Sequence, residues 1–116
     1  MTSAHIKDQN ALNQRIQTEI TENPVILYMK GDKTFPQCGF SARVVEILNK
    51  VGVPYQTHDV ISDPELRFGM KYFSNWPTFP QLFIKGELVG GCDIVANLFE
   101  TGELQNLLKE KGLLTS

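Results

Sequence analysis

The hydrophobic positions at the start of the chain predict a helix followed by a buried strand. Leu12, Ile16 and Ile20 recur at intervals of four residues, which places them on one face of a helix. The Asn23-Pro24 pair should end this helix, because the residue before a proline is disfavoured in the helical conformation. The next segment, Val25–Met29, is continuously apolar and contains β-branched and aromatic residues, which is typical of a strand buried on both faces.

The rest of the chain continues the alternation of helix and strand. A polar connection over residues 30–37 leads to a helix that should begin at residue 38 or 39 and end at Gly52. Residues 53–60 predict a second strand, and Ser62-Asp63-Pro64-Glu65 predicts a capped helix start with proline in the first turn. The remaining predicted elements are strands at 81–84 and 87–89 around a tight Lys85-Gly86 turn, a helix with Ile94, Val95 and Leu98, and a helix with Leu104, Leu107 and Leu108.

The predicted order α-β-α-β-α-β-β-α-α fits one small α/β domain. A strand–helix–strand unit crosses over right-handed and pairs in parallel, whereas the hairpin adds an antiparallel pair. We therefore expect a thioredoxin-like fold, with a four-stranded mixed sheet flanked by helices on both faces, although periodicity alone would also allow other small α/β folds. Residues 1–116 are expected to form this single domain, with a loosely ordered stretch over residues 1–10.

Composition and charge narrow the classes of function. The 116 residues carry 11 Lys and Arg against 13 Asp and Glu, so the sequence indicates no basic face for nucleic acid. The longest apolar run is Val25–Met29, far short of the roughly 20 residues of a membrane-spanning helix, and the first residues are too polar for a signal peptide. Two cysteines are too few for a disulfide framework. We therefore expect a soluble protein of a reducing compartment, namely the cytoplasm, with a mature organellar form as the alternative.

Cys38 is the residue with the clearest predicted chemistry. It sits where a helix starts, so the unpaired N–H groups of Phe40 and Ser41 can donate to a sulfur anion and acidify the thiol. The alternative is a buried structural cysteine. Ser41 stands where a Cys-x-x-Cys motif has its second thiol, so redox chemistry here needs an external thiol or Cys92. Cys92 is expected to be a packed residue, with a disulfide to Cys38 as the alternative if their Cα atoms lie within about 7 Å.

Two further segments and one histidine have both functional and ordinary explanations. The Trp76-Pro77-Thr78-Phe79-Pro80 run indicates a fixed turn, with a cis proline as one form, that leaves the Phe79 backbone free to pair with an extended peptide. The alternative is a plain loop terminator. In Gly90-Gly91-Cys92-Asp93, Asp93 either caps a helix or holds the ammonium group of a ligand. His58 is expected at the surface of a strand end, and nothing in the sequence places a histidine near the reactive thiol.

Together these segments resemble the CGFS-type monothiol glutaredoxins, of the bacterial single-domain class and similar to mitochondrial members. The resemblance implies a thioredoxin-like fold. One departure is the loop sequence Asp32-Lys33-Thr34-Phe35, where many members have a small residue followed by proline. The motifs that carry the resemblance are Lys30-Gly31 with a long loop to Pro36, Cys38-Gly39-Phe40-Ser41, Arg67, the 76–81 run and the 90–93 run.

The same resemblance implies a glutathione site beside Cys38. By analogy, Lys30 and Arg67 meet the glycyl carboxylate or the sulfur of glutathione. The Phe79 backbone would pair with the cysteinyl unit, while the Cys92 N–H and the Asp93 side chain hold the γ-glutamyl end. Glutathione has two carboxylates and one ammonium group, so two cations, a helix N-terminus and one acid complement it. The implied site is completed by neighbouring motif residues: Gly39, Phe40, Thr78 and Pro80.

The resemblance also implies a carrier of iron–sulfur clusters. A [2Fe–2S] cluster usually takes four thiolates, and Cys38 supplies one metal ligand per protomer. With one glutathione each, two protomers supply four, so we expect a labile cluster that bridges a homodimer and is delivered to apo iron–sulfur acceptor proteins. A BolA-like protein is the implied partner that replaces one protomer. The alternatives are a weak glutathione-dependent thiol–disulfide oxidoreductase that deglutathionylates proteins, and a non-catalytic interaction domain with an inert Cys38.

Overall fold

The computed structural model describes residues 8–115, and its elements follow the predicted order. Residues 8–10, expected to be loosely ordered, open the first helix, where the Asp8 carboxylate accepts hydrogen bonds from the N–H groups of Asn10 and Ala11. Residues 1–7 of that expectation lie outside the described residues. The elements are α1 Gln9–Glu22, β1 Val25–Met29, α2 Gly39–Val51, β2 Gln56–Asp59, α3 Pro64–Ser74, β3 Gln81–Ile84, β4 Glu87–Gly90, α4 Cys92–Thr101 and α5 Glu103–Glu110.

The four strands form one mixed sheet in the order β2-β1-β3-β4. β1 pairs in parallel with β2 and antiparallel with β3, and β3 pairs antiparallel with β4. The predicted thioredoxin-like arrangement is therefore confirmed. Lys85 and Gly86 both have positive φ, as a two-residue turn of a right-twisted hairpin requires. Across residues 8–115, no helix has both the length and the apolar character needed to cross a membrane.

The central strand β1 is buried on both faces, as its continuous apolar sequence predicts. Val25, Leu27 and Met29 pack in one core cluster with residues of α2, α4 and α5. Ile26 and Tyr28 point to the other face and pack with residues of α1 and α3. The alternation follows from the two-residue period of a strand. Each face of the sheet therefore has its own hydrophobic layer, and helices cover both.

The second strand is shorter than predicted. Pairing with β1 begins at Gln56, opposite Ile26, and ends at Asp59. Val53 and Tyr55, which suggested an earlier start, belong to no strand. They are buried in the core cluster that contains residues of α2, α4 and α5. The apolar pattern therefore marked burial correctly and overstated the length of backbone pairing.

His58 lies near the end of β2, as predicted, but its side chain is only 24% exposed and belongs to a polar network that the sequence did not indicate. Its Nδ1 atom is 3.0 Å from Glu19 Oε1 on α1, and its Nε2 atom is 3.3 Å from Asp63 Oδ2 at the start of α3. The Tyr28 hydroxyl donates to the same Glu19 oxygen at 2.6 Å. With both ring nitrogens engaged, His58 is not available as a base for Cys38.

Candidate functional site

A groove of about 510 Å³ opens beyond the carboxyl end of β1 and is lined by residues from the start of α2, from α3 and from the start of α4. Segments from both halves of the chain converge there. The predicted site residues that line the groove are Lys30, Phe40, Arg67, Thr78, Phe79, Pro80, Cys92 and Asp93. Cys38 and Gly39 are not among the lining residues and lie at the start of α2, next to Phe40.

Cys38 is the N-cap residue of α2, as its position in the sequence predicts. Its sulfur accepts a hydrogen bond from the Ser41 N–H at 3.4 Å. Partial burial opposes ionisation, but the Ser41 hydroxyl and the N–H groups of Ser41 and Phe40 outweigh it. The charge of Lys30 adds to this effect. The pKa of Cys38 is therefore lowered from that of an ordinary thiol, and a larger fraction is the nucleophilic, metal-binding thiolate.

The loop between β1 and α2 holds Lys30 beside the thiol. The Gln37 N–H donates to the Lys30 carbonyl at 2.8 Å, which closes the loop at its base. The Asp32 carboxylate accepts from the N–H groups of Thr34 and Phe35, both at 2.8 Å, so this unusual loop sequence folds as a tight turn on its own aspartate. Gly31 has φ +86°, a conformation that favours glycine. The departure from the family sequence therefore still gives an ordered loop.

The segment between α3 and β3 forms the fixed turn that the sequence predicts. The Phe79–Pro80 peptide bond is cis, and it immediately precedes β3. The Phe79 side chain is buried in the core cluster beneath α1 and α3. Only the backbone of this residue is therefore offered to the groove, while the exposed Thr78 lies beside it.

The start of α4 forms the opposite wall of the groove. Gly91 is the N-cap, and no side chain caps the helix, so the prediction that Asp93 acts as a cap is wrong. A Cβ atom at Gly91 would lie 3.3 Å from the Pro80 carbonyl oxygen, which shows how closely α4 approaches the cis-proline turn. Asp93 is exposed in the first turn of α4 and is one of the residues that line the groove. The alternative role, binding a ligand's ammonium group, remains a prediction.

The two thiols have opposite electrostatic environments. Both Cys38 and Cys92 are free. Burial and the nearby Asp93 charge raise the pKa of Cys92, and the Cys38 charge acts in the same direction. The site therefore contains one acidified thiol, Cys38, beside one that stays protonated near neutral pH.

Comparison with known proteins assigns the chain to a family. The Glutaredoxin family model matches residues 25–89, which run from the start of β1 into β4 and contain the site segments that precede α4. The chain belongs to the glutaredoxin family. It is 57% identical to a probable monothiol glutaredoxin 2 of Rickettsia felis, over 81% of this chain and 90% of that protein. It is 52% identical to glutaredoxin 4 of Haemophilus ducreyi, over 83% of this chain and 90% of that protein.

This glutaredoxin corresponds to part of a longer protein in rice. It is 49% identical to monothiol glutaredoxin-S11 of rice over 96% of this chain, but spans 23% of that protein's length. Among solved structures, reduced apo GrxS14 of poplar is 44% identical, with a TM-score of 0.76 over 85% of this chain and 91% of that one. A buckwheat glutaredoxin solved with glutathione shares the fold, with a TM-score of 0.81, 24% identity, and 99% and 100% coverage.

Two residues of this glutaredoxin's site were missed by the sequence analysis. For Ser41 the sequence predicts only the backbone N–H donor and the missing second thiol, yet its buried hydroxyl oxygen accepts the Lys30 N–H at 3.2 Å and lies 3.3 Å from the Cys38 sulfur. Its own hydrogen is therefore free to turn toward the sulfur once the thiol ionises. Lys71 lies one helical turn after Arg67 on α3 and lines the same groove. The four-residue spacing of these two cations was the available signal.

Proposed function

We propose that the groove binds glutathione, with its thiol beside Cys38. Lys30, Arg67 and Lys71 contribute three positive charges to the lining of the groove, and Asp93, at the start of α4, contributes a negative charge. Glutathione carries two carboxylates and one ammonium group, so this distribution complements the tripeptide. The glycyl carboxylate would meet the cations. The γ-glutamyl carboxylate would meet the uncapped N–H groups of α4, with its ammonium group on Asp93.

The size and construction of the groove support this ligand. A volume of about 510 Å³ is within the range of roughly 300–1,000 Å³ for small-molecule sites. The Phe79 backbone, at the cis turn, offers hydrogen-bonding groups to the peptide part of the ligand. The buckwheat glutaredoxin of the same fold was solved with glutathione, which agrees with the proposal.

We further propose that glutathione completes the ligand set of a [2Fe–2S] cluster carried as cargo. The observation that supports this most strongly is the lowered pKa of Cys38 with a serine at the position of the second thiol. Within residues 8–115, no group of three or more His, Cys, Asp or Glu side chains is placed to hold a metal ion. Cys38 with one glutathione supplies two thiolates, and a facing copy with its own glutathione supplies two more.

The surface around the groove supports a partner protein over this site. Phe40 is 64% exposed and Ile94 is 39% exposed, and these apolar side chains stand at the starts of α2 and α4 on the groove wall. Exposed apolar groups clustered beside a polar site are typical of interaction surfaces. We propose that a second copy covers them in the cluster-bridged dimer, that a BolA-like protein can take the place of that copy, and that apo iron–sulfur proteins accept the cluster. An accessible acidified thiol suits a reducing compartment such as the cytoplasm.

Anaerobic reconstitution with iron and sulfide, with and without glutathione, tests the proposal. Visible absorption reports the cluster, and gel filtration reports the dimer. We expect a coloured dimer only with glutathione, no colour with Cys38→Ser, and normal colour with the matched control Cys92→Ser. Wild-type protein that stays colourless with glutathione would overturn the carrier function, and loss of colour in Cys92→Ser would assign that thiol to the ligand set.

The same thiol supports deglutathionylation as a second function. The Cys38 thiolate would attack the glutathionyl sulfur of a mixed disulfide, releasing the protein thiolate and leaving glutathione on Cys38. The thiolate of one free glutathione would then attack the glutathionyl sulfur on Cys38, releasing the Cys38 thiolate and forming oxidised glutathione. One half of that disulfide comes from the substrate, and the other half is the free glutathione that acts as the reductant. Turnover of a glutathionylated protein, followed by coupled consumption of NADPH with glutathione reductase, measures this activity. No turnover above the Cys38→Ser background would exclude it.

A further inference from the structure

The segment that carries Thr78 and Phe79 has little backbone support of its own. It joins α3 to β3, and within residues 8–115 no backbone–backbone hydrogen bond outside the helices and strands involves residues 76–80. At its start, the Trp76 N–H donates to the Ser74 hydroxyl oxygen at 3.2 Å. Beyond this contact, side chains must fix the path of the turn, on which the proposed glutathione site depends.

Gln81 supplies that support. It is the first residue of β3, its side chain is completely buried, and its backbone is paired with Tyr28 in the centre of the sheet. Its Nε2 group donates to the Trp76 carbonyl at 3.0 Å and to the Thr78 carbonyl at 3.2 Å. Both hydrogens of one amide are therefore used on the turn. A buried amide is costly unless it is hydrogen-bonded, and these two bonds satisfy the Nε2 group, whereas the buried Oε1 atom of Gln81 has no partner within residues 8–115.

The bond to Thr78 fixes the direction of a neighbouring group. In a planar trans peptide, the carbonyl of one residue and the N–H of the next point in opposite directions. The Thr78 carbonyl points inward to the buried Gln81, so the Phe79 N–H points away from the core. Within residues 8–115 this N–H has no hydrogen-bond partner, and Phe79 lines the groove.

We infer that Gln81 is a positioning residue that aims the Phe79 N–H at a backbone carbonyl of the tripeptide bound in the groove. This inference rests on the proposed glutathione site and adds a residue that touches neither the ligand nor Cys38. The support for the Cys38 thiolate comes from a different element, the first turn of α2. Changes at Gln81 should therefore weaken binding of glutathione without changing the reactivity of the thiol.

The test uses Gln81→Met, which keeps the length of the side chain and removes both donors. The matched control is Leu82→Met, at the next buried position of β3, whose side chain belongs to the other core cluster. Calorimetric titration measures the affinity for glutathione, and the pH profile of iodoacetamide alkylation measures the reactivity of Cys38. We expect Gln81→Met to weaken binding by about threefold to tenfold, as the loss of about one net hydrogen bond predicts, with an unchanged alkylation profile and a normal affinity in Leu82→Met.

Several outcomes would overturn the inference. Folded Gln81→Met that binds glutathione like the wild type would refute it, and a parallel loss of affinity and Cys38 reactivity would indicate a merely structural role. If Gln81→Met does not fold, Gln81→Glu takes its place, because it keeps the shape and has at most one donor. Wild-type protein that does not bind glutathione would contradict the proposed function instead. In that case NMR of the unliganded protein still tests the role of Gln81. The backbone amide resonance of Phe79 should shift in Gln81→Met and should not shift in the Leu82→Met control.

Discussion

The network around His58 predicts that the protein loses stability as the pH rises from 6 to 9. Glu19 on α1 accepts a hydrogen bond from the protonated ring and raises the pKa of His58, against the effect of partial burial. Asp63 at the start of α3 acts in the same direction. Other charged or polar groups that face this cluster are Arg15 on α1, which contacts Asp63, and the Tyr28 hydroxyl on β1.

The sign follows from the direction of each pKa shift. A raised histidine pKa gives stability that is fully present below the unfolded value of about 6.5 and is lost as the pH rises through the folded value. The pKa of Glu19 is lowered because its hydrogen bond with His58 outweighs the effect of burial. The pKa of Asp63 is also lowered, because its contacts with Arg15 and with the backbone of α3 outweigh the effect of burial. Their contribution is present above their unfolded values and lost in acid. Stability should therefore be highest between about pH 5 and pH 6.5.

The magnitude can be worked from the contacts. A hydrogen bond to a charged group contributes about 1.5–3 kcal/mol. The His58 side chain is 24% exposed, so solvent screens the network in part, and we take the lower end, about 1.5 kcal/mol. With an m-value of about 1–3 kcal/mol/M, the urea midpoint should fall by about 0.5–1.5 M over this range of pH.

Urea unfolding between pH 6 and 9 checks this, in a Cys38→Ser, Cys92→Ser background so that no thiol titrates. His58→Gln should remove most of the fall, because a glutamine does not change charge. The control is His5→Gln, at the other histidine of the chain, which lies outside the described residues. The fall of the urea midpoint should persist in this variant. An equal fall in the parent and in His58→Gln would refute the reasoning.

Three other substitutions test separate parts of the structure. Ser41→Ala removes the hydroxyl beside the sulfur and should raise the pKa of Cys38, which slower alkylation near neutral pH would reveal; an unchanged rate–pH profile would contradict this role. Asp93→Asn should weaken glutathione binding by about tenfold in calorimetry, as expected for losing a charge-assisted bond, and equal affinity would remove Asp93 from the site. Leu27→Ala, in the fully buried central strand, should lower the free energy of unfolding by about 2–5 kcal/mol in urea titrations, and a smaller loss would mean that the core refills the space.

Features encoded by local chemistry could be predicted from the sequence. The apolar run of β1, the Asp63-Pro64 helix start and the position of Cys38 at the start of α2 each depend on neighbours within a few residues. The Trp76–Pro80 turn was recognisable for the same reason, because proline at the entrance to a central strand restricts the backbone. The resemblance to a family then predicted a site, and eight of its residues line the groove.

Features that depend on contacts between distant segments could not be predicted. His58 meets Glu19 across 39 positions of sequence, and no pattern within β2 announces this. Gln81 is a polar residue at a buried position where an apolar residue is usual. Only the folded turn shows that its side chain donates to the Trp76 and Thr78 carbonyls. For β2, periodicity reports which side chains are buried, whereas pairing depends on the register with β1.

The groove joins parts of the chain that are far apart along it. Lys30 follows the central strand, Arg67 belongs to a helix on one face of the sheet, and Asp93 begins a helix on the other. A molecule bound across all three would form a non-covalent link between elements that pack on opposite faces of the sheet. Binding of this one ligand should therefore slow local opening of both hydrophobic layers. The measurable consequence is slower hydrogen exchange of buried backbone amides on both faces of the sheet.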